Sequence, residues 1–452
     1  MPGMAASSLS DSSVRPKLFA GLMGAWLGVS LIKFGNPVIL DRLVEPPSGF
    51  WETLFNPWPV AWGYWMLAGL VIMAGGAGVI RFNTSAPRWL VSLPMVWLMW
   101  QLVAATRTVD VQLTKATILH FGACTTCFYL GLLALSRVNE MKWFWCCLLV
   151  AFVWVLWMGM GQHFGGLEST QQMIYQQPNW KQLPPEYLGR IASRRIFSTL
   201  VYPNALAGAI LLLLPPSLAV LFKMTGRLSN VARGVLVGLL AYAGLACLYW
   251  SGSKSGWLIA LALGLVGLLR LPFTRQVKLG VVLAVLAIGL AGFFVKFSAY
   301  FHRGATSVSA RFDYWRAAWE ITKSHPIVGS GPGTFSVPYS AYRINKAPGA
   351  EMTRLVHNNY LEQACDSGVV GFFSFAAFIF GSLAVLYRKS NLDLVSFGVL
   401  TGVLGWVAQG FVEFGLYIPA VAWPAFAFLG WLLGKGNEID NHHWSKYPPR
   451  RT

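Results

Sequence analysis

Residues 199–222 read TLVYPNALAGAILLLLPPSLAVLF and contain no charged side chain, between Arg195 on one side and Lys223 on the other. The run matches the roughly 20 apolar residues that an α-helix needs to cross a bilayer. A span must satisfy its own backbone hydrogen bonds in the hydrocarbon core, which only helices and closed barrels achieve. The run lacks the alternating segments of about ten residues that mark a barrel strand. It therefore predicts a membrane-spanning helix.

Similar apolar stretches recur along the whole chain. Of its 452 residues, 55% are hydrophobic and 12% are charged, whereas soluble domains carry roughly 25% charged residues. We therefore predict an all-α polytopic membrane protein with about twelve transmembrane helices. The predicted spans cover residues 18–40, 59–80, 89–105, 117–136, 143–161, 199–222, 234–250, 257–271, 279–297, 367–387, 394–411 and 416–434.

The short polar connections indicate how the spans are oriented. Every second connection carries lysine or arginine with few acids, as in Arg137 and Lys142, and such loops lie on the cytoplasmic side. We predict cytoplasmic tails at residues 1–17 and 435–452. Residues 18–297 then contain spans 1 to 9, with an outer loop at 162–198. Residues 298–366 form a large outer loop, and residues 367–434 contain spans 10 to 12.

The net charge of +18 does not indicate nucleic acid, because the basic residues are scattered between spans rather than arranged in a stripe. Anionic lipid head groups account for most of it. The chain has no Walker loop, no H-E-x-x-H, no G-x-S-x-G and no outer cluster with metal-ligand spacing. Cys124 and Cys127, one helical turn apart in an apolar span, are interpreted as packing residues. We expect no cofactor, no metal and no nucleic-acid partner.

Basic residues are less common in the outer loops of membrane proteins than in the inner loops, so their presence in outer loops needs an explanation. Arg194, Arg195, Arg311 and His357 all lie in the two long outer segments. An anionic ligand would retain them there. At a membrane surface, a lipid-linked diphosphate is the natural candidate.

Residues 309–323, SARFDYWRAAWEITK, predict an amphipathic helix at the membrane interface, with Ser309 as its cap. Its aromatic stripe is Phe312, Trp315 and Trp319. Arg316 has Asp313 and Glu320 as partners at helical spacing. Arg311 has no acid at such a spacing, so we predict that it is the freer cation and the better ligand for an anion.

The segment Val356-His-Asn-Asn-Tyr-Leu-Glu362 places His357 at the end of the outer loop, just before a span. Histidine is the side chain best suited to move a proton near neutral pH. Glu362 lies five residues later and is a candidate to orient the imidazole. The alternative is a structural histidine that is hydrogen-bonded within the loop.

Two further sites carry outer cations. Arg194 and Arg195 precede Pro203 and Asn204, which break the first turn of a span and expose backbone N–H groups suited to an anion. The alternative is an arginine pair that snorkels to the interface. Lys254 lies in the tight turn Ser251-Gly-Ser-Lys-Ser-Gly256, and a contact with lipid head groups is the alternative there.

Taken together and in this order, five motifs resemble the O-antigen ligase and O-antigen polymerase superfamily. They are R-x-F-x-T-x-x-x-P-N (195–204), S-x-S-K-S-G (251–256), S-x-R-x-x-x-W (309–315), P-I-V-G-S-G-P-G-T-F (326–335) and H-N-N-Y-L-E (357–362). The resemblance implies a C-type membrane glycosyltransferase of the bacterial inner membrane, active on its periplasmic face. Such enzymes move a glycan from undecaprenyl diphosphate to a hydroxyl of an acceptor glycan or of lipid A core.

The resemblance also implies roles for single residues. His357 matches the essential histidine of the outer loop, and Arg195 and Arg311 match arginines that hold the diphosphate. Lys254 stands where the family usually has arginine, so its charge is kept while the bidentate fork is lost. Arg194 is a further candidate for the diphosphate. The supporting candidates are Asn204, Asn358, Tyr360, Glu362 and Arg316.

The sequence leaves several functions open. Within the enzyme class, an O-antigen ligase and a polymerase of lipid-linked repeats use the same donor and similar basic residues. A flippase or transporter of lipid-linked glycans belongs to another class. Ion-coupled transporters usually carry acids or histidines within the bilayer, whereas here His120 and Glu413, at the end of a span, are the nearest cases. A scaffold of a cell-wall complex would leave His357 and the outer arginines unexplained.

Overall fold

A computed structural model of the chain describes residues 4–176, 180, 192–270, 273–302, 306–344, 353–389 and 392–435. Within these residues the regular structure is entirely helical. The α-helices are α1 (Met4–Lys33), α2 (Phe50–Phe55), α3 (Val60–Gly76), α4 (Arg88–Ala105), α5 (Val111–Leu133), α6 (Lys142–Gly161), α7 (Leu167–Gln176), α8 (Pro203–Met224), α9 (Asn230–Trp250), α10 (Lys254–Arg270), α11 (Arg275–His302), α12 (Thr306–Ser324), α13 (Ser336–Tyr342), α14 (Asn359–Tyr387), α15 (Leu394–Gln409) and α16 (Pro419–Gly434).

Each of the twelve predicted spans overlaps one of these helices. In the described part of the chain, seven helices are long and apolar enough to cross a membrane: α4, α5, α6, α8, α9, α11 and α14. Helices α3, α15 and α16 are apolar but shorter. The all-helical, multi-pass membrane architecture is therefore confirmed, while the number of twelve spans and the sidedness of the loops stay predictions.

Two boundaries differ from the sequence expectation. Helix α1 begins at Met4, so most of the predicted tail at 1–17 continues the first span as helix. Helix α14 begins at Asn359, before the predicted span start at 367, because Asn358 caps it and Gly368 then breaks it. The apolar run begins only after that break, which is why hydropathy placed the start too late.

The core lies around α16, in which every residue is buried. Helices α1, α5, α8 and α15 pack against it, and the ring of Trp423 stacks on Trp26 with centroids 4.8 Å apart. Helix α11 is the opposite case, because its most apolar window is only 6% buried and it packs mainly on α10. Apolar surface of this kind is stable where lipid rather than water surrounds it.

A small cap covers one end of the bundle. Tyr314, Ala317, Ala318 and Ile321 of α12 form a second apolar cluster with residues of α13 and the start of α14. On the other side of α12, Phe312 and Trp319 are exposed, as expected for an interfacial helix. Helix α12 begins at Thr306, so Ser309 lies inside the helix and is not its cap. The cap fixes α12, and with it Arg311, over the ends of the spans.

Candidate active site: a buried charge cluster around Glu413

Four chain segments meet beneath the cap. They are the irregular segment before α8, the first turns of α12, the residues before α14, and the connection between α15 and α16. Glu413, in the last of these, lies at the point where they converge. Its side chain is only 4% exposed, and a buried carboxylate is stable only when it is paired.

Both oxygens of Glu413 are occupied. Oε1 accepts hydrogen bonds from Nη2 of Arg311 and from Nδ2 of Asn204, the latter at 2.5 Å. Oε2 lies 3.1 Å from Nδ1 of His357. Burial by itself raises the pKa of Glu413, but the charges of Arg311, His357 and Arg195 outweigh it, so the pKa lies below its ordinary value. Glu413 is therefore a carboxylate that holds a cation and an imidazole together.

His357 is held in an unusual backbone conformation, with φ at +57°. Side chains other than glycine rarely occupy this left-handed region, and such strain persists only where the surroundings impose it. Here the next residue, Asn358, caps α14 by accepting hydrogen bonds from the N–H groups of Tyr360 and Leu361. Glu413 occupies Nδ1 of the imidazole, and Nε2 has no hydrogen bond within the described residues.

Aromatic rings surround the imidazole of His357. Tyr314 stacks on it with centroids 5.8 Å apart, and Phe414 meets it edge-on at 4.8 Å. Tyr202 approaches at 6.2 Å and stacks on Phe414. These rings pack around the imidazole, whose side chain is 16% exposed, and restrict its orientation.

Arg195 lies in the same cluster, linked to Glu413 through Asn204. Its Nε donates to the carbonyl of Ser251 at 2.7 Å, and its Nη2 donates to Oδ1 of Asn204 at 2.7 Å. Three hydrogen bonds in series thus connect Arg195 to His357. Burial lowers the pKa of Arg195, Tyr202 and Glu413 raise it, and the charge of Arg311 lowers it further. The acceptors that bond this half-buried cation directly are neutral, which suits the approach of an anion.

Lys254 supplies a third cation. It is the first residue of α10, and its ammonium lies 5.3 Å from the ring centroid of Phe297. Burial, together with the charges of Arg195 and Arg311, lowers the pKa of Lys254 to about 8. Arg195 donates to the carbonyl of Ser251, in the turn that precedes Lys254, so these two cations meet at the same turn.

The cluster carries an excess of positive charge. In the described residues, the cluster contains three cations, Arg195, Arg311 and Lys254, and one carboxylate, Glu413, which gives a net charge of two positive units when His357 is neutral. The cavity beside Glu413, lined in part by Tyr202 and Gln409, has a volume of about 10 Å³, which is room for about one water molecule. The cavity is therefore too small to hold a larger anion.

Two interpretations drawn from neighbours along the chain are wrong. Glu362 does not contact His357, because its Oε2 accepts a hydrogen bond from the N–H of Val356 at 3.2 Å. Glu413 is the carboxylate at the imidazole instead. Arg311 is not a free cation, because the same Glu413 pairs with it from 102 positions along the chain. Spacing within one helix cannot reveal a partner on another element.

Three other candidates lie outside the cluster in the described residues. Arg194 is exposed and makes none of the cluster contacts. Arg316 donates to Asp313, as predicted, and to the carbonyl of Tyr342, while Glu320 pairs with Lys323 instead. Tyr360 packs among phenylalanine rings of α14 and the connection after α15. Arg316 and Tyr360 stabilise the cap and the start of α14 rather than touch the cluster.

Sequence reasoning noted Glu413 only as an acid near a span and did not assign it to the site. The signal was available, because an acid at the end of an apolar span must find a partner. No feature of the sequence indicated which aromatic residues surround His357, namely Tyr202, Tyr314 and Phe414. In the part of the chain that the structure describes, no group of three or more His, Cys, Asp or Glu side chains could hold a metal ion.

Comparison with known proteins gives a family match for part of the chain. Residues 238–376 match the family model described as O-antigen ligase. This segment is therefore similar to the O-antigen ligase family. The match covers less than a third of the chain, and it confirms the resemblance seen in the sequence motifs. A protein of Haemophilus influenzae, described as an uncharacterized protein, is 26% identical over 167 residues, which are 32% of this chain and 40% of that protein. The chain thus spans less than half of this relative.

The O-antigen ligase segment contains part of the cluster. Lys254, Arg311 and His357 lie within it, whereas Arg195, Asn204 and Glu413 lie outside. The match covers a range of residues and assigns no role to any one of them. The site rests on the contacts among Arg195, Asn204, Arg311, His357 and Glu413. The family match and the apolar helices together support a multi-pass membrane protein.

Proposed function

We propose that this protein is a membrane glycosyltransferase that moves a glycan from undecaprenyl diphosphate to a hydroxyl of an acceptor, as an O-antigen ligase does. One observation carries the proposal: the buried cluster in which Arg195, Arg311 and Lys254 outnumber Glu413, with His357 on the same carboxylate. A glycan-linked diphosphate is a diester with one negative charge on each phosphate. Its charge matches the positive excess of the cluster.

The diphosphate is the leaving group in this reaction. Arg195, Arg311 and Lys254 stabilise the charge that develops on it, each charge-assisted contact contributing about 1.5–3 kcal/mol. The acceptor oxygen forms a bond to the anomeric carbon of the donor sugar while the bond from that carbon to the diphosphate oxygen breaks. The electron pair of the broken bond remains on the diphosphate.

His357 acts as the general base. In its neutral form, Nδ1–H donates to Glu413, and Nε2 accepts the proton of the acceptor hydroxyl as the new bond forms. Glu413 then stabilises the imidazolium, as a carboxylate does beside a catalytic histidine. General-base assistance of this kind commonly contributes about 10²–10⁴-fold to the rate.

The test is glycan transfer by the purified protein in lipid nanodiscs. The substrates are a radiolabelled glycan on a polyprenyl diphosphate and a lipid A core acceptor. We expect transfer by the wild type, a loss of at least about 100-fold in His357→Ala, and no loss in His325→Ala, an exposed histidine at the end of α12. Transfer by His357→Ala near the wild-type rate would overturn the base assignment.

The same assay separates the alternatives. Transfer to a second lipid-linked repeat rather than to lipid A core would make the protein a polymerase. Movement of the labelled lipid across a vesicle bilayer without transfer would make it a flippase. The proposed ligase acceptors are lipid A core or another glycan, and the proposed location is the inner membrane with the cluster on the periplasmic face and both termini in the cytoplasm.

A further inference from the structure

The segment that carries Arg195 is irregular, and the structure shows what holds it. Between Ser193 and Ser198 the backbone forms neither helix nor strand. At its start, the N–H of Ile196 donates to the carbonyl of Trp250, and Arg195 itself donates to the carbonyl of Ser251. At its end, the segment is held by the side chain of Gln162.

Gln162 binds the segment through both ends of its amide. Its Oε1 accepts hydrogen bonds from the N–H groups of Phe197 at 3.0 Å and Ser198 at 2.7 Å, and its Nε2 donates to the carbonyl of Ser198 at 3.3 Å. A single amide thus satisfies three backbone groups of two successive residues. Phe197 lies outside regular structure and Ser198 is the first residue of a short 3₁₀ turn, so in the described residues no backbone group bonds these three groups.

The backbone at this point is strained. Ser198 has φ at +55° and Val201 has φ at +56°, and a β-branched residue in this region is a genuine outlier. The hydroxyl of Ser198 also donates to the carbonyl of Val155 on α6 at 2.6 Å. Strained residues persist only where the surrounding contacts impose them, and the amide of Gln162 is the main such contact on Phe197 and Ser198.

The position of Gln162 is itself unusual. It begins a π-helical turn, Gln162–Gly166, that interrupts the helix after α6, with Phe164 and Gly165 outside helical geometry. Turns of this kind are often found at functional sites, because the extra residue changes the direction of the side chains around it. Here the interruption aims Gln162 at the arginine segment.

We infer that Gln162 is a positioning residue for the donor: it holds the backbone after Arg195 so that the guanidinium faces the diphosphate. This inference rests on the proposed function. Gln162 has no hydrogen bond to the cluster in the described residues, and it acts through Arg195 alone. Its loss should weaken donor binding while leaving the base, His357, in place.

The test is binding and kinetics of Gln162→Met, a substitution of similar length without hydrogen bonds. Binding is measured by calorimetry with a farnesyl diphosphate probe, and transfer is measured with the lipid-linked glycan. We expect the Kd of the probe and the KM of the donor to rise about 10-fold or more, with the KM of the acceptor unchanged. Gln112→Met, an exposed glutamine at the start of α5, is the matched control.

A double-mutant cycle separates positioning from general stability. If Gln162 acts through Arg195, Gln162→Met should add little to the loss already caused by Arg195→Ala. If Gln162→Met lowers the affinity for the probe equally in the wild type and in Arg195→Ala, the inference is overturned. Gln162→Glu keeps the oxygen that accepts from both N–H groups, so we expect its affinity to lie within about 3-fold of the wild type. Affinity as low as that of Gln162→Met would also overturn it.

The outcomes distinguish this inference from the proposed function. If the wild type does not bind the probe, or if Arg195→Ala binds it equally well, the diphosphate site itself is wrong and the inference fails with it. If Arg195→Ala loses affinity and Gln162→Met does not, only the positioning role is wrong. A melting curve for each variant checks that the loss of binding is not a loss of fold.

Discussion

At the scale of single residues, the site depends on Glu413. One carboxylate binds Arg311, Asn204 and His357 at once, so it fixes the distance between the proposed diphosphate site and the proposed base. The sequence offered the cations and the histidine as separate candidates. Only the carboxylate that joins them explains why they lie together.

We predict that Glu413→Gln lowers kcat by about 100-fold or more, because the amide cannot stabilise the imidazolium of His357 and leaves Arg311 without its counter-charge. The measurement is the transfer assay with saturating donor and acceptor. The matched control is Glu320→Gln, which removes a carboxylate from the surface of α12, where it pairs with Lys323. If Glu413→Gln has the wild-type kcat, the carboxylate has only a structural role in the site.

The unusual pKa of Lys254 gives a second prediction, in the pH dependence. Burial and the two arginine charges lower this pKa to about 8, so the free protein loses one of its three cations as the pH rises through that value. We expect kcat/KM for the donor to fall by about 10-fold between pH 7 and pH 10. The fall should come from a rise in the KM of the donor rather than from a change in kcat.

Lys254→Arg tests the cause of that pH dependence. Arginine stays charged across this range, so kcat/KM for the donor should stay level up to about pH 10, with the same transfer assay as the measurement. Lys254→Met should show, at every pH, the low kcat/KM for the donor that the wild type shows at pH 10. If the wild-type decline is also present in Lys254→Arg, another group is responsible for it.

At the scale of elements, the turn at residues 329–333 has a structural role that its motif alone did not reveal. The N–H groups of Ser330 and Gly331 donate to carbonyls of Cys365 and Asp366, just before the break in α14. The N–H of Gly333 donates to the carboxylate of Asp366 at 2.6 Å. The turn therefore fixes the cap to α14. It also holds α12, which carries Arg311, against the helix that follows His357.

Gly368 tests this role of the turn. Its φ is +71°, and a Cβ at this position would lie 2.0 Å from the carbonyl oxygen of Ile327. We predict that Gly368→Ala lowers the free energy of unfolding by about 2–4 kcal/mol, measured by thermal melting in detergent, with a parallel loss of transfer. Gly264→Ala on α10 is the control, because a Cβ there meets nothing within 4 Å. Equal melting temperatures for the two variants would contradict this role of the turn.

Helix boundaries were predicted less well than helix positions. Hydropathy reports where apolar residues begin, whereas a helix begins where its first N–H groups find an acceptor. Asn358 supplies that acceptor for α14 well before the apolar run. Residue type alone is also a poor guide to the cap. Ser309 is a suitable cap by residue type, but it lies within α12, which starts at Thr306.

At the scale of the whole molecule, the orientation in the membrane is a prediction from loop charge. We expect a cysteine placed at the exposed position Ser340, in α13, to react with a membrane-impermeant maleimide in intact cells after the outer membrane is made permeable. A cysteine at Arg227, between α8 and α9, should react only after lysis. The six native cysteines are buried or half-buried, which keeps the background low. The reverse pattern would place the charge cluster in the cytoplasm.

The sequence by itself determined the class of fold, because about 20 apolar residues in a row have few stable conformations in lipid. It also supplied most of the proposed chemistry, since the residue types of Arg195, Lys254, Arg311 and His357 limit what they can bind or transfer. The tertiary structure alone decided which of these side chains meet. Glu413 and Gln162 reach their partners across long stretches of chain, and contacts between distant elements depend on how the helices pack rather than on any local pattern.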